Sequence, residues 1–280
     1  MRASQEFLAQ VLDEQGFLSD RKIMSSESET NSHPARGSLR LAPNVEELEE
    51  HKRKVPRQFV NFTFYRARPD WRLLGETEKR DCKRDFIDAL DGFRSTLLIH
   101  TYSTVGLRTG SDFMIWRIGC ELDPMQEMTA RLNQTAMAKY VEQTHSLLSM
   151  TKRSMFIGTE CAEDTESSTH VVSGESNYLF VCPLQRTREW YARPQEQRLE
   201  MLEENLRLGS KYRSVKLHTT YSFGLDDQDF VVAFETDKPS DFLDLFQELR
   251  ETKASCFTLR DTPMFTCRKR SLSECLDALG

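Results

Sequence analysis

The runs LIHTYSTVGLRTGSDFMIWRIGCELD at residues 98–123 and KLHTTYSFGLDDQDFVVAFETD at residues 216–237 decide the fold. Each reads as two strand-like stretches joined by a turn with glycine where positive φ is needed, the pattern of a β-hairpin. The flanking sequence repeats too. FVNFTFYRARPDWR (59–72) matches YLFVCPLQRTREWY (178–191) in type, and Phe59, Asn61, Thr63 and Tyr65 alternate with Val60, Phe62 and Phe64 at the period of a strand. From Trp71 to His100 is 29 residues and from Trp190 to His218 is 28, so the two halves keep nearly one spacing.

Between each opening strand and its hairpin lies a helical pattern. Over Glu76 to Phe93 the residues Cys82, Phe86, Ile87, Leu90 and Phe93 fall on one helix face, and PQEQRLEMLEENLRLG (194–209) is the counterpart. Asp123-Pro124 starts a predicted helical region running to Met150, and Pro239-Ser-Asp starts DFLDLFQELRE. SMTKRSMF (149–156) and CFTLRDTPMFTC (256–267) supply a last short strand for each half. The expectation is an α+β chain of two ferredoxin-like repeats, with antiparallel sheets packed face to face or closed into a barrel and helices flanking them. A pocket between sheet and helices follows from that layering.

The domain expectation is a flexible tail over 1–56, a first half over 57–156, a linker over 157–177, a second half over 178–270 and a C-terminal tail over 271–280. The Ser/Glu/Thr/Asn/Pro tract at 25–38 has too little apolar surface to offset the entropy of ordering it. Met24 opens that tract and is a second candidate start.

Composition excludes several functions. A net charge of −6 without a long run of either sign argues against nucleic acid, which calls for a basic face. No window approaches 18 apolar residues, and acids interrupt the N-terminal apolar stretch, so neither a membrane span nor a secretory signal is expected and the reading is cytoplasmic. Seven cysteines without a CxxC pair, and six histidines without HxH or HExxH, give no dedicated metal site. GxSxG and phosphate-loop motifs are absent.

The runs REWYARPQEQRLEMLEENLRLGSKY, VKLHTTYSFGLDDQDFVVAFETD and LRETKASCFTLRDTPMFTC resemble the C-terminal half of chlorite dismutase and coproheme decarboxylase proteins. The resemblance extends over about residues 57–268 and takes in FYRARPDWRLL, YSTVGLRTGSDFMIW and LNQTAMAKY. It implies a dimeric α+β barrel, assembly as a homopentamer and a haem or coproheme pocket in the second half. Members split chlorite or use peroxide to decarboxylate coproheme, with iron held by a proximal histidine.

The resemblance places that histidine four residues beyond a methionine, which here is Asn205 after Met201. It places the decarboxylases' radical tyrosine at Cys182 and the chlorite dismutases' distal arginine at Leu217. Arg186, four positions after Cys182, stays basic and is the candidate partner of a propionate. His218 adjoins Leu217 on a strand and should face the other way; His145 has only a helical pattern behind it. Trp190, Tyr191, Phe223 and Phe230 are expected to pack, and the acids of GLDDQD to serve a turn.

Three functions stay open. One is a protein without haem redox activity that has a structural, assembly or small-molecule-binding role, on the joint loss at Asn205 and Cys182. The second is an active haem peroxidase or peroxide-dependent coproheme decarboxylase with an unassigned axial ligand. The third is a porphyrin binder anchored by Arg186.

Overall fold

The alternation in FVNFTFYRA produces strand β1, Phe59–Ala67, and both of its faces are buried. Val60, Phe62 and Phe64 point one way and Thr63 and Tyr65 the other, each 5% exposed or less. A strand covered on both sides needs a layer on each, and the rest of the chain supplies them. The computed structural model describes residues 57–152 and 174–280; the expected tail over 1–56 and residues 153–173, most of the expected linker, lie outside the described residues.

The first half continues with a 3₁₀ turn at Pro69–Leu73, α1 (Glu76–Asp91), β2 (Leu98–Ser103), β3 (Phe113–Gly119), α2 (Asp123–Asn133) and β4 (Val141–Met150). The second has β5 (Tyr178–Arg186), α3 (Arg188–Ala192), α4 (Gln195–Gly209), β6 (Val215–Tyr221), β7 (Phe230–Thr236), α5 (Pro239–Arg250), β8 (Thr258–Arg260), β9 (Phe265–Lys269) and α6 (Leu272–Asp277). Within the halves the strands run β4-β1-β3-β2 and β9-β5-β7-β6, one ferredoxin-like order used twice. Two short seams join them, Tyr102 and Ser103 beside Lys269 and Arg268, and Met150 beside Tyr221. With the β5–β7 pairing the sheet closes on itself. The fold is the expected α+β barrel with flanking helices.

The inside of the barrel is filled by side chains from both halves, as in other small barrels. Phe62 stacks on Trp116 at 4.9 Å between ring centroids, and Phe64 on Phe265 at 3.8 Å. Stacked pairs of this kind contribute about 0.5–1.5 kcal/mol beyond their buried area. Outside the barrel, Trp71 of the 3₁₀ turn, Phe86 and Leu90 of α1, and Met128 and Leu132 of α2 cover the first sheet, and α5 covers the second with Phe242 and Leu245.

Three expectations need correction. The helical region expected to reach Met150 ends at Asn133, and VEQTHSLLSM is strand β4, which pairs with β1 along its whole length. A register shift at Thr144 breaks its alternation: Val141 is buried in the helix-side core, while Leu147 and Ser149 are buried on the barrel side. His145 therefore sits on a strand, with its ring 5.0 Å from that of Phe265. The run CFTLRDTPMFTC holds two strands, β8 and β9, instead of one. The last ten residues, expected as a tail, include α6, whose Leu272, Cys275 and Leu276 are buried in the first half's helix-side core. Trp71 Nε1 donates to Gly280 O at 2.8 Å, and Lys83 pairs with Asp277 at 3.0 Å. Leu279 enters the same core.

No described helix is long and apolar enough to cross a membrane.

Candidate functional site

Strands β5, β6 and β7 alternate, so one set of side chains enters the barrel and the other faces α4 and α5. Phe180, Cys182 and Leu184 take the helix side of β5, Leu217 and Thr219 that of β6, and Val232 and Phe234 that of β7. Between this wall and the two helices lies a cavity of about 160 Å³, lined by Cys182, Leu184, Leu217, Thr219, Val232 and Phe234 from the strands, Leu202 and Asn205 from α4, and Leu245, Phe246 and Leu249 from α5. Arg186, Arg250, Thr258 and Asp261 also line it. Cys182, Arg186, Asn205 and Leu217, far apart in sequence, thus meet at one apolar pocket of the second half.

Each of the four has a definite setting. The Cys182 thiol donates to Asp261 O at 3.0 Å, and burial, followed by the nearby Asp261 charge, pushes it up to about 12. It is a protonated thiol at neutral pH, neither an anionic ligand nor a ready nucleophile. Arg186 is partly engaged: Nη1 donates to Ala254 O at 2.6 Å and to Thr258 Oγ1 at 3.0 Å, and its guanidinium lies 4.9 Å from the Trp190 ring. The carboxamide oxygen of Asn205 is buried with no hydrogen-bond partner among the described residues. Leu217 presents an aliphatic wall.

His218, next to Leu217, is on the inner face of the barrel, 6% exposed, with Nε2 3.4 Å from Glu235 Oε1 and its ring 5.8 Å from Trp116. It does not reach the pocket. Nor does any other histidine among the described residues line it.

The donor set does not fit haem iron. A neutral carboxamide, a protonated thiol and a guanidinium leave no imidazole, thiolate or free phenolate to ligate it.

Sequence reasoning missed the rim. Arg250 Nη2 bonds Asp261 Oδ2 at 2.7 Å, joining the end of α5 to the β8–β9 connection and holding the carbonyl that accepts from Cys182. The acids of GLDDQD serve a turn but do more: Asp226 Oδ2 accepts from Leu148 N at 2.8 Å across the seam, and Asp229 Oδ2 accepts from Arg186 N at 2.7 Å and Tyr191 OH at 2.8 Å. Trp190 and Phe230 are buried as expected, while Phe223 is 50% exposed.

A family model described as chlorite dismutase matches residues 79–270. The chain belongs to the chlorite dismutase family. It is 30% identical over 171 residues to a coproheme decarboxylase of Mycolicibacterium smegmatis, an alignment covering 59% of this chain and 70% of that protein. To a chlorite dismutase of Ideonella dechloratans it is 24% identical over 210 residues, 74% of each chain. Among solved structures, chlorite dismutase from Candidatus Nitrospira defluvii in complex with imidazole superimposes with a TM-score of 0.71 at 22% identity, covering 82% of this chain and 98% of the other. That likeness establishes the fold.

Proposed function

We propose that this chlorite dismutase-family protein performs neither chlorite dismutation nor coproheme decarboxylation, and that its second-half pocket serves a structural or small-molecule-binding role. The observation that carries the reading is the side-chain set at the pocket: Asn205, Cys182 and Leu217 occupy the positions where the resemblance expects iron ligand, radical tyrosine and distal arginine. No reaction step is assigned to haem. A porphyrin carrier has less support, since Nη1 of the arginine that would hold a propionate is already bound to Ala254 O and Thr258 Oγ1.

Size and polarity support a smaller occupant. A dry protein cavity of about 150 Å³ lined by aliphatic and aromatic groups takes up benzene, and this one has about 160 Å³ with a mainly aliphatic lining. Asn205 adds one buried acceptor without a partner, which suits a small aromatic or aliphatic molecule bearing one donor group, such as a phenol. A cytoplasmic location and a homopentameric assembly belong to the same proposal, the first on a sequence in which no window approaches 18 apolar residues and the second on the family resemblance.

The test is a titration of the purified protein with hemin and with coproheme, followed in the Soret band, then addition of hydrogen peroxide. No perturbed Soret band is expected; a ligated spectrum or a decarboxylated product overturns the reading. Asn205→His is the companion, because it supplies a nitrogen donor: a Soret shift in the variant alone locates the loss at this position. Phenol titration should raise the melting temperature of the parent and not that of a cavity-filling Leu217→Phe variant.

A further inference from the structure

A second concavity of about 450 Å³ lies at the end of the first half where β1 meets the β2–β3 connection. That volume is within the roughly 300–1,000 Å³ of ordinary ligand sites. Its lining is unlike that of the apolar pocket. Arg66 and Arg68 come from the end of β1, Arg72 from the 3₁₀ turn and Arg108 from the β2–β3 loop, with Ala278 and Leu279 after α6 closing one side.

Four arginines line one cleft against a single side-chain carboxylate, that of Asp112. Asp112 is already engaged, its Oδ2 accepting the Ala67 N–H at 2.7 Å. Arg68 reaches Glu142 only at 4.0 Å, with both side chains about half exposed, a contact of little strength. Arg108 is steadied over the Phe265 ring at 5.4 Å. Arg66, Arg72 and Arg108 have no ion pair among the described residues. In a chain of net charge −6 this is a local excess of positive charge, four arginines against Asp112 and Glu142.

The fold does not impose it. In the matching turn of the second half, Asp226 and Asp227 stand in the loop where the first half has Arg108. Two loops of one supersecondary type therefore hold opposite charges.

We infer that this cleft binds a small, multiply charged oxyanion. Guanidinium forks match the paired oxygens of phosphate and carboxylate groups, and several forks around one concavity favour a ligand with more than one anionic group. The ligand class is a di- or triphosphate-bearing compound or a polycarboxylate; both present the same chemistry to the arginines.

Isothermal titration of the full chain at low ionic strength tests this with pyrophosphate and tripolyphosphate in one arm, citrate in the other and acetate as the singly charged control. Saturable binding is expected in at least one arm, weakening as salt is added, with acetate silent. Pyrophosphate without citrate assigns a phosphate ligand, and citrate without pyrophosphate a polycarboxylate. The double variant Arg68→Gln/Arg108→Gln should bind at least tenfold more weakly with an unchanged circular dichroism spectrum. If that variant does not fold, the single Arg72→Gln serves instead, with a several-fold loss expected. Lys253→Gln, outside the cleft, should bind as the parent does. No saturation at millimolar anion, binding unaffected by the arginine substitutions, or equal response to acetate each overturns the inference.

Discussion

The thiol of Cys182 donates to the carbonyl oxygen of Asp261 at 3.0 Å, tying strand β5 to the β8–β9 connection at the edge of the apolar pocket. The carboxylate of the same Asp261 is held by Arg250. The sulfur therefore works as a structural donor in a closed corner, and its chemistry follows from that setting.

With Cys182 pushed up to about 12 by burial and then by the Asp261 charge, its thiolate is scarce near pH 8. Cys120 and Cys256 are exposed. Their exposure, against the burial and scarce thiolate of Cys182, should make these two react with iodoacetamide at least about tenfold faster than Cys182. Peptide mapping of a timed alkylation at pH 8 checks it; labelling of Cys182 at the rate of Cys120 would contradict the setting described.

Glu235 makes a prediction in acid. It is fully buried and accepts the Gly174 N–H at 2.8 Å and the Glu175 N–H at 3.1 Å, besides facing His218. Burial by itself raises its carboxyl, but the His218 contact and these N–H groups outweigh it and hold the group at about 2. A folded-state value below the unfolded one stabilises above the unfolded value and is lost as pH falls through the folded one. Stability from this group is thus full above about 4.5 and disappears towards about 2, worth on the order of 3 kcal/mol at 1.36 kcal/mol per unit. Urea unfolding from pH 7 to pH 2.5 should show Glu235→Gln less stable at pH 7 and shallower in its acid decline; parallel curves would remove Glu235 as the cause.

Leu276 on α6 is fully buried among the first half's helix-side residues. Leu276→Ala should cost about 2–5 kcal/mol, the range for emptying a packed leucine site. Chemical denaturation measures it. A loss below 1 kcal/mol would mean that α6 is dispensable to that core.

The helix α6 shows how near the sequence came and why it fell short. Ser271 and Glu274 form a capping box, a start signal readable in SLSE. A six-residue helix cannot sustain itself by propensity, and what holds it is the Trp71, Phe86 and Leu90 surface that the sequence does not place beside it. β4 fell short for a related reason: its alternation is weak, and its state is decided by pairing with β1. At the site, Asn205, Cys182 and Leu217 were singled out by position in the sequence, and all three line one pocket. The bonds of Arg186 to Ala254 and Thr258, and the rim pair of Arg250 with Asp261, were not legible, because those contacts join segments with no fixed spacing between them.

By itself the sequence determined the duplicated strand–helix–hairpin order and the inward and outward sets on most strands. These rest on local periodicity and on one-dimensional spacing, which survive without knowledge of neighbours. Only the tertiary structure decided that the two hairpins of residues 98–123 and 216–237 belong to one closed barrel. The same holds for His100 and His218, the matched histidines of the repeat, which lie 5.7 and 5.8 Å from the Trp116 ring. Their convergence depends on how the seams at Ser103 and Tyr221 bring the halves together, and seam pairing is a long-range choice that no local pattern encodes.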